Sequence, residues 1–367
     1  MKIVCSRDEL QKGVSIVSKA VPVRTTMPIL ECILIDSSKG SIKLMANDTE
    51  IGIETKIEGT IEEEGVVALS ARIFSDIVRK LSDDDEVTIK TDEKHITNIV
   101  CGNTNFNILG KSVEDFSYIP IIPRNKEIKI SMITLKDIIR QTIFSIAQND
   151  NNKILTGELF EIKDNILKVV SLDGHRVSLR VTELKNSYDE HKKVVVPGKT
   201  LSDINKILPG DKEDDVSIFV TDNHIIFEFE NTVVVSRLLE GEFFSIDQML
   251  STDYNTKIKI NRIAFLESID RASLMASEGD KKPIIIDVEE NFIELKISSN
   301  LGSMDAKIDT YKEGKNMKIA FNPKFIMDVL KVVDDDEVTI YMINPKAPCF
   351  IKNDDESYLY LILPVNF

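Results

Sequence analysis

Three stretches of the chain follow one pattern: SARIFSDIV at Ser70–Val78, PGKTLSDIN at Pro197–Asn205 and NPKFIMDVL at Asn322–Leu330. Each has a basic residue four positions before an aspartate, and the three aspartates are 127 and 125 residues apart. Self-similarity at a fixed period indicates one structural unit repeated in tandem. Three units of this length account for all 367 residues, so the repeat decides the architecture.

The remainder of each unit repeats more weakly. An amphipathic helix and two strands come first, and an acidic turn with a β-branched strand follows the quoted stretch. Apolar residues are spaced by three and four in Leu135–Phe144, and strands such as His224–Glu230 alternate. Two helices and several antiparallel strands per unit predict an α+β fold. The predicted domains are 1–124, 125–252 and 253–367, with helices at 6–20, 71–81, 134–147, 198–208, 261–276 and 323–332.

The composition excludes several classes of protein. With 42% hydrophobic residues, the chain is globular rather than disordered, although its net charge is −15. Charges lie between Met1 and Glu9, where a signal peptide needs an apolar run. No later stretch approaches the roughly 20 apolar residues of a membrane span. We therefore expect a cytoplasmic protein with no membrane partner.

Cysteine and glycine usage argues against metal, redox and nucleotide chemistry. The four cysteines are far apart and form no C-x-x-C pair, which indicates reduced core residues at Cys5, Cys32, Cys101 and Cys349. The chain has only 15 glycines, which leaves few places for phosphate-binding loops. We predict neither a metal site nor a cofactor.

Charge is distributed unevenly between the helices and the rest of the chain. The six predicted helices carry a net charge of +6, which leaves −21 for strands, turns and chain ends. If all six helices line one concave face, that face attracts a polyanion while the outside repels it. The alternative is that Lys and Arg are simply good helix formers. Charge alone leaves both interpretations open.

Two local motifs could carry other chemistry. Pro197–Thr200 is similar to the end of a Walker A loop, but Lys193 stands where the first glycine is required. A turn that opens a helix is therefore the favoured interpretation. The acidic runs 83–86 and 334–337 could hold a divalent cation, but neither has EF-hand spacing. We favour solvated turns at both places.

Two further segments have more than one interpretation. Asp173, His175 and Arg176 combine an acid, an imidazole and a guanidinium, which could serve acid/base catalysis. A turn with a recognition role is favoured instead. The apolar run Tyr358–Phe367 predicts a buried strand in its first half. Its last residues could be core packing or an exposed apolar lip of a binding groove.

Five segments together resemble the bacterial DNA polymerase III beta subunit, the replicative sliding clamp. They occur in the order expected for that family along essentially the whole chain: Asp173–Arg176, Val196–Leu201, Ser236–Phe243, Ile319–Phe325 and Tyr358–Val365. The resemblance implies the DNA clamp fold, with three tandem domains that each contain two helices and antiparallel sheets. It further implies that two chains dimerise head-to-tail into a six-domain ring whose helices line the hole.

The resemblance implies a function without catalysis. Clamps of this family are processivity factors that encircle duplex DNA and slide without sequence preference, which weak phosphate contacts allow. The implied partners are double-stranded DNA, a second copy of the chain, the replicative polymerase alpha subunit, the clamp-loader ATPase complex, and other clamp-motif proteins such as repair polymerases and mismatch-repair proteins. No cofactor is implied.

The DNA-binding residues come from two sources. By resemblance, Arg24 matches a basic loop residue that touches DNA, and Gln148 and Asn149 lie in a second loop that reaches DNA. The charge distribution adds four helix cations, which are Arg72, Arg79, Lys80 and Lys199.

The family's pocket for short partner peptides also maps onto this chain. It is an apolar cleft that takes leucine and phenylalanine anchors. The matching residues are Leu155, Gly174, His175, Arg176, Val177, Phe244, Met249, Leu361, Ile362, Leu363, Pro364 and Val365. Phe244 replaces a usual proline and Asn366 replaces a usual basic residue, so the resemblance predicts a shifted peptide preference.

The subunit interface maps to Phe106 and Ile108 in the first domain and to Leu274 and Met275 in the third. An apolar contact is expected for an obligate dimer. Two other hypotheses stay open from the residues alone: an enzyme that uses Asp173, His175 and Arg176, and a scaffold that does not hold DNA. Retention on circular DNA distinguishes a sliding clamp from both.

Overall fold

A computed structural model of the chain describes residues 1–82, 86–120, 122–148, 151–210, 214–246, 249–250, 253–275 and 282–366. The chain divides into two compact units. Unit 1 comprises Met1–Ile133 and Asp203–Leu238, and unit 2 comprises Thr134–Ser202 and Leu239–Phe367. The predicted central domain contributes residues to both units. The three domain boundaries stay a prediction.

The six predicted helices are confirmed in the described residues, with small differences at their ends. Ser6, Asn261 and Asn322 cap three of them, because their side chains accept a backbone N–H of the first turn. Two predicted helices end in a 3-10 turn, at Ser18–Ala20 and Ile143–Ser145. The α-helices are α1 Arg7–Val17, α2 Ala71–Arg79, α3 Met132–Thr142, α4 Gly198–Ile207, α5 Arg262–Ser273 and α6 Pro323–Val332.

Unit 1 contains two sheets in which every described pairing is antiparallel. The five-stranded sheet has the order β5-β1-β7-β8-β9, and the eight-stranded sheet has the order β10-β13-β14-β15-β4-β3-β2-β6. The strands are β1 Lys2–Ser6, β2 Cys32–Asp36, β3 Ile42–Asn47, β4 Ile51–Ile57, β5 Thr60–Glu63, β6 Val66–Ser70, β7 Glu86–Thr91, β8 Ile96–Cys101, β9 Thr104–Leu109, β10 Ile128–Ser131, β13 Asp215–Val220, β14 His224–Phe229 and β15 Thr232–Arg237.

Unit 2 contains one ten-stranded antiparallel sheet, in the order β11-β12-β23-β22-β21-β16-β19-β18-β17-β20. The predicted C-terminal strand is confirmed as β23, and it lies beside β12. The strands are β11 Gly157–Leu172, β12 Arg176–Pro197, β16 Thr256–Asn261, β17 Ile284–Val288, β18 Phe292–Ser299, β19 Gly302–Gly314, β20 Met317–Phe321, β21 Glu337–Met342, β22 Cys349–Lys352 and β23 Tyr358–Ile362.

The apolar faces of the helices and sheets form the core of each unit. α1 packs against α2 in unit 1, and α5 packs against α6 in unit 2. The prediction of buried, reduced cysteines is confirmed for all four. Burial raises the pKa of the thiols of Cys5 and Cys349 to about 12, so both are inert near neutral pH.

The repeat extends to the backbone of two turns. Asp48 Oδ1 accepts the N–H groups of Glu50 and Ile51 at 3.0 and 2.8 Å. Asp173 Oδ1 accepts the N–H groups of the residues two and three positions on, at 3.0 and 3.1 Å. The residue after the aspartate has a positive φ in both turns, 78° at Thr49 and 83° at Gly174. The two aspartates are 125 residues apart, as the repeat requires.

Candidate functional site

The Asp173 turn places three residues of the candidate pocket, Gly174, His175 and Arg176. It connects β11 to β12, and Gly174 supplies the left-handed backbone conformation that the turn needs. On the other side of β12, the N–H of Leu363 donates to the carbonyl of His175 at 2.9 Å. Because this bond continues the β12–β23 pairing, the C-terminal segment is held beside the turn.

Arg176 is the buried charge under this turn, with 6% of its surface exposed. Its guanidinium donates to Asp173 Oδ2 at 3.0 Å, to Asp328 Oδ2 at 2.7 Å and to the carbonyl of Phe144. Its Cζ also lies 5.2 Å and 4.6 Å from the ring centroids of Phe144 and Phe325. Two carboxylates and two rings therefore compensate the guanidinium for its loss of water.

A cavity of about 400 Å³ opens beside the Asp173 turn in unit 2. The structure brings together seven of the twelve predicted pocket residues around it, and these are Gly174, His175, Arg176, Val177, Met249, Leu361 and Leu363. Leu172 and Pro348 also line the cavity and were missed. Leu172 lies opposite Val177 in the β11–β12 ladder, so strand register could have identified it. Pro348 comes from a turn that is distant in sequence from the Asp173 turn, and no sequence pattern indicates that it lies at this cavity.

The other five predicted pocket residues are not among those that line this cavity. Leu155 is buried in the apolar cluster of Leu172, Val177 and Leu361, below the cavity. Ile362 has no exposed surface and belongs to another cluster of unit 2. Val365 is exposed, and its N–H donates to the carbonyl of Ala320 at 2.8 Å. Pro364 is half-buried and Phe244 is exposed.

Phe244, which replaces a proline in the resemblance, lines a different cavity. That cavity has a volume of about 410 Å³ and also contains Glu161, Lys193 and Ile246. Ile246 belongs to the apolar cluster below the Asp173 turn, so one hydrophobic cluster borders both cavities. Asn366, the second departure from the resemblance, is exposed.

The predicted DNA-binding residues are exposed wherever the structure describes them. In unit 1 these are Arg24, Arg72, Arg79 and Lys80, and in unit 2 they are Gln148 and Lys199. Asn149 lies outside the described residues. Arg72 and Arg79 are on the exposed face of α2, where Arg79 pairs with Asp76 at 3.2 Å. Long exposed cations suit weak contact with phosphate.

The predicted interface residues lie at free sheet edges or on exposed surface. Phe106 and Ile108 are half-buried on β9, the edge strand of the five-stranded sheet in unit 1. Leu274 in unit 2 is 72% exposed, and Met275 is half-buried. Edge strands carry unpaired backbone groups that can pair with another chain.

The structure gives no support to catalysis by Asp173, His175 and Arg176. Asp173 binds backbone N–H groups and Arg176, and the His175 ring stacks on Phe325 with centroids 6.0 Å apart. Within the part of the chain that the structure describes, no group of three His, Cys, Asp or Glu side chains could hold a metal ion. No described helix is long and apolar enough to cross a membrane.

The two acidic runs differ in what the structure shows. Residues 83–85 of the first run lie outside the described residues. In the second run, Asp334 accepts from Arg140 at 2.7 Å, and Asp335 accepts the Tyr358 hydroxyl at 2.7 Å. All four residues of the second run are exposed, so the expected solvated turn is confirmed there, and these two protein contacts add to it.

Comparisons with known proteins cover the whole chain. Family models for the N-terminal, central and C-terminal domains of the DNA polymerase III beta subunit match residues 1–120, 129–244 and 247–366. The beta sliding clamp of Staphylococcus epidermidis is 35% identical, with 100% of this chain and 99% of that protein covered.

Two solved structures show the same architecture. The Bacillus subtilis DNA polymerase sliding clamp has a TM-score of 0.96 and 34% identity, with 100% and 99% of the two chains covered. A chain from Eubacterium rectale assigned as a DNA polymerase III beta subunit has a TM-score of 0.96 and 62% identity, with full coverage of both chains.

Proposed function

Because the chain belongs to the DNA polymerase III beta subunit family, we propose that it is a sliding clamp, a non-enzymatic processivity factor that encircles duplex DNA. The observation that carries this proposal is the match in fold to the B. subtilis sliding clamp over the full length, with a TM-score of 0.96. The match covers 100% of this chain and 99% of that chain.

The DNA is held by topology and by weak phosphate contacts. The exposed cations Arg24, Arg72, Arg79, Lys80 and Lys199 supply these contacts, together with Gln148 and Asn149. Phosphate contacts by such side chains position a protein on DNA, whereas bidentate contacts to base edges would read its sequence. Contacts of this kind depend on salt and not on sequence, which allows a ring to slide.

The ring forms by pairing of free strand edges between two copies. β9 is the edge strand of its sheet in unit 1. In unit 2, residues Gly302–Asp309 of β19 pair with β18, and the described residues provide no strand on their other side. Head-to-tail pairing of β9 with this part of β19 removes both edges. Apolar groups near these edges, such as Leu109 and Leu274, are exposed in the single chain and are buried by the pairing.

The internal repeat gives the register of this pairing. Ile51 lies opposite Ser236 in unit 1, and Arg176 lies opposite Ile362 in unit 2. In the third domain, the hairpin register makes Gly302 the counterpart of Ile51 and Arg176. In the first domain, the register of β8 and β9 makes Ile108 the counterpart of Ser236 and Ile362. Gly302 of one copy therefore lies opposite Ile108 of the next. Two residues further along, Met304 lies opposite Phe106.

The partners are recruited at the cavity beside the Asp173 turn. Its walls are apolar at Leu172, Val177, Leu361 and Leu363, and its turn is braced by buried Arg176. Such a cavity takes leucine or phenylalanine anchors from a linear peptide. The partners are the replicative polymerase alpha subunit, the clamp-loader ATPase and other clamp-motif proteins, including repair polymerases and mismatch-repair proteins.

The mass of an oxidised double-cysteine variant, measured by light scattering, tests the ring and its strand register together. Opposite residues in antiparallel strands have Cβ atoms about 5 Å apart, which allows a disulfide to form. The Phe106→Cys, Met304→Cys variant should oxidise to a covalent dimer near twice 41.4 kDa. The control pair Asn105→Cys, Met304→Cys is displaced by one residue and should cross-link poorly. A 41.4 kDa particle at every concentration would contradict the dimer.

A further inference from the structure

Unit 1 contains a second cavity at the turn equivalent to the Asp173 turn. It has a volume of about 240 Å³ and adjoins the Asp48 turn, so we call it the Asp48 cavity. The backbone around the two cavities corresponds bond by bond. The N–H of Arg237 donates to the carbonyl of Glu50 at 2.9 Å, as the N–H of Leu363 does to His175 at 2.9 Å.

The equivalent positions carry different side chains. Arg237 stands where the peptide pocket has Leu363, and Glu50 stands where it has His175. Val235 corresponds to Leu361 and keeps the cavity floor apolar. The two cavities therefore share a backbone frame, but Arg237 is charged where the peptide pocket has apolar Leu363, and Glu50 is charged where it has an imidazole.

Gly52 explains why the Asp48 cavity is the smaller one. It corresponds to Val177 of the peptide pocket, because each lies opposite the matching residue of β15 or β23. A Cβ on Gly52 would lie 2.7 Å from the Ile119 side chain, so glycine lets Ile119 approach the strand. Ile119 thereby adds an apolar wall beside Val235.

Two side chains of opposite charge lie in the Asp48 cavity without a partner. Arg237 and Glu50 are both exposed, and neither makes an ion pair with any residue that the structure describes. They are not paired with each other, although their backbones are hydrogen-bonded. Next to Arg237, His224 is half-buried, and burial together with the Arg237 charge lowers its pKa.

We propose that the Asp48 cavity is a second binding site for linear peptides, and that its ligands carry a carboxylate that pairs with Arg237 beside an apolar side chain that packs on Val235 and Ile119. Glu50 disfavours a second acidic residue at the same place, because like charges repel. The site thus selects peptides of a different chemistry from those that anchor leucine or phenylalanine at Leu363. The inference rests on the proposed function, because the Asp173 cavity is the peptide site whose backbone frame the Asp48 cavity repeats.

Histidine resonances report each site separately. The chain has only four histidines, of which His175 lines the peptide pocket and His224 lines the Asp48 cavity. A carboxylate bound at Arg237 favours the charged imidazole and therefore raises the pKa of His224. The His175 resonance does not shift when a ligand binds at the Asp48 cavity. Binding at the peptide pocket shifts the His175 resonance alone. Failure of one site is thus distinguishable from failure of the other.

The test is an NMR titration of the full-length chain labelled with ¹³C at histidine Cε1. The probe is acetyl-Ser-Glu-Leu-Ser-amide, and its neutral control is acetyl-Ser-Gln-Leu-Ser-amide. We expect the acidic peptide to shift the His224 resonance and raise its pKa, and to bind about five-fold more tightly than the control. In Arg237→Gln the two peptides should bind equally weakly. In Glu50→Gln, the matched control variant, the acidic peptide should bind at least as tightly as to the unmodified chain.

Three results would overturn the proposal. The first is that neither peptide moves the His224 resonance at millimolar concentration. The second is that both peptides bind equally to the unmodified chain. The third is that the preference for the acidic peptide persists in Arg237→Gln.

Discussion

Asp76 in unit 1 and Asp328 in unit 2 occupy the same position of the repeat but have different surroundings. The Asp76 side chain is 56% exposed and pairs with Arg79. The Asp328 side chain is 17% exposed and accepts from both Arg176, at 2.7 Å, and Lys324, at 2.6 Å. A buried ion pair is held rigidly, whereas an exposed pair is screened and mobile.

The difference between these two regions corresponds to two kinds of binding. The buried ion pairs of Arg176 hold the Asp173 turn in one conformation, so the cavity beside it is pre-formed. A partner peptide can therefore bind there without the entropic cost of ordering the turn. We propose that the exposed cations of α2 exchange one phosphate for another, as sliding requires. Under the proposed function, the same repeated helix thus supports a specific peptide site in unit 2 and a non-specific DNA-binding surface in unit 1.

The largest loss of stability is expected when the buried ion pair of Arg176 and Asp328 is broken. Arg176→Ala leaves Asp173 and Asp328 without their shared cation and removes the side chain between Phe144 and Phe325. Loss of one partner of a buried pair lowers the free energy of unfolding by about 3–5 kcal/mol. Urea denaturation of the full chain measures this change.

Lys324→Ala is the matched control for Arg176→Ala. It removes a cation from the same Asp328 carboxylate, but its side chain is 64% exposed. An exposed pair contributes at most about 1 kcal/mol. Equal losses in the two variants would show that burial is not what separates the two regions.

Glu158 sharpens the comparison, since it is a buried carboxyl group that makes no ion pair with any described residue. It has no exposed surface, and neither carboxylate oxygen has a hydrogen-bond partner among residues with described positions. Burial raises the pKa of its carboxyl to about 8, from an ordinary value of 4.5. Between pH 4.5 and pH 8 the folded chain keeps a proton that the unfolded chain releases, so stability falls as pH rises through this range.

Glu158→Gln removes this pH dependence. The variant should be more stable than the unmodified chain at pH 7, by about 3 kcal/mol, and equally stable below pH 4.5. Thermal unfolding at several pH values provides the measurement. If the two unfolding curves stay parallel from pH 5 to pH 8, Glu158 is charged in the folded chain and has a partner.

A smaller effect, on peptide affinity, is expected from a change in the wall of the cavity beside the Asp173 turn. Leu363→Ala shortens a 37% exposed side chain of the peptide pocket. Affinity for a peptide with leucine and phenylalanine anchors should fall by about 2 kcal/mol, because such contacts act as hot spots. Fluorescence anisotropy of the labelled peptide measures it. Val23→Ala, at an exposed position in unit 1 outside the predicted pocket, should leave the affinity unchanged.

The smallest effects are expected at the exposed cations. Arg24→Ala should weaken binding to short duplex DNA slightly and reduce the salt slope by about one unit, which is one phosphate contact. Lys94→Ala removes an exposed cation outside the predicted set and serves as control. An unaltered slope in Arg24→Ala would exclude Arg24 from the DNA-binding surface.

Much of the fold could be predicted because it is encoded locally. The helices of the repeat follow from apolar spacing, and α6 has the predicted bounds at Pro323 and Val332. The Asp48 and Asp173 turns follow the repeat to the level of single hydrogen bonds. Local sequence sets both features, so a repeated sequence repeats them.

Side-chain pairings and contacts between distant segments could not be predicted in this way. The basic residue four positions before the aspartate pairs with it at Lys324 and Asp328, whereas Asp76 pairs with Arg79 three positions after it. Arg176 reaches Asp328 across 152 residues of sequence. The pairing of β4 with β15, which divides the central domain between the two units, also joins segments that are distant in sequence. Packing determines such pairings, and no local pattern records them.

Retention on DNA of defined topology tests the central claim most directly. The full-length chain is loaded onto a nicked circular plasmid by a clamp-loading ATPase, isolated by gel filtration and then exposed to a restriction enzyme that cuts the plasmid once. A ring that holds DNA by topology stays on the circle in high salt and leaves after the cut. Equal retention before and after the cut, or loss from the circle as salt rises, would show that the chain binds DNA by contact alone and would contradict the sliding clamp.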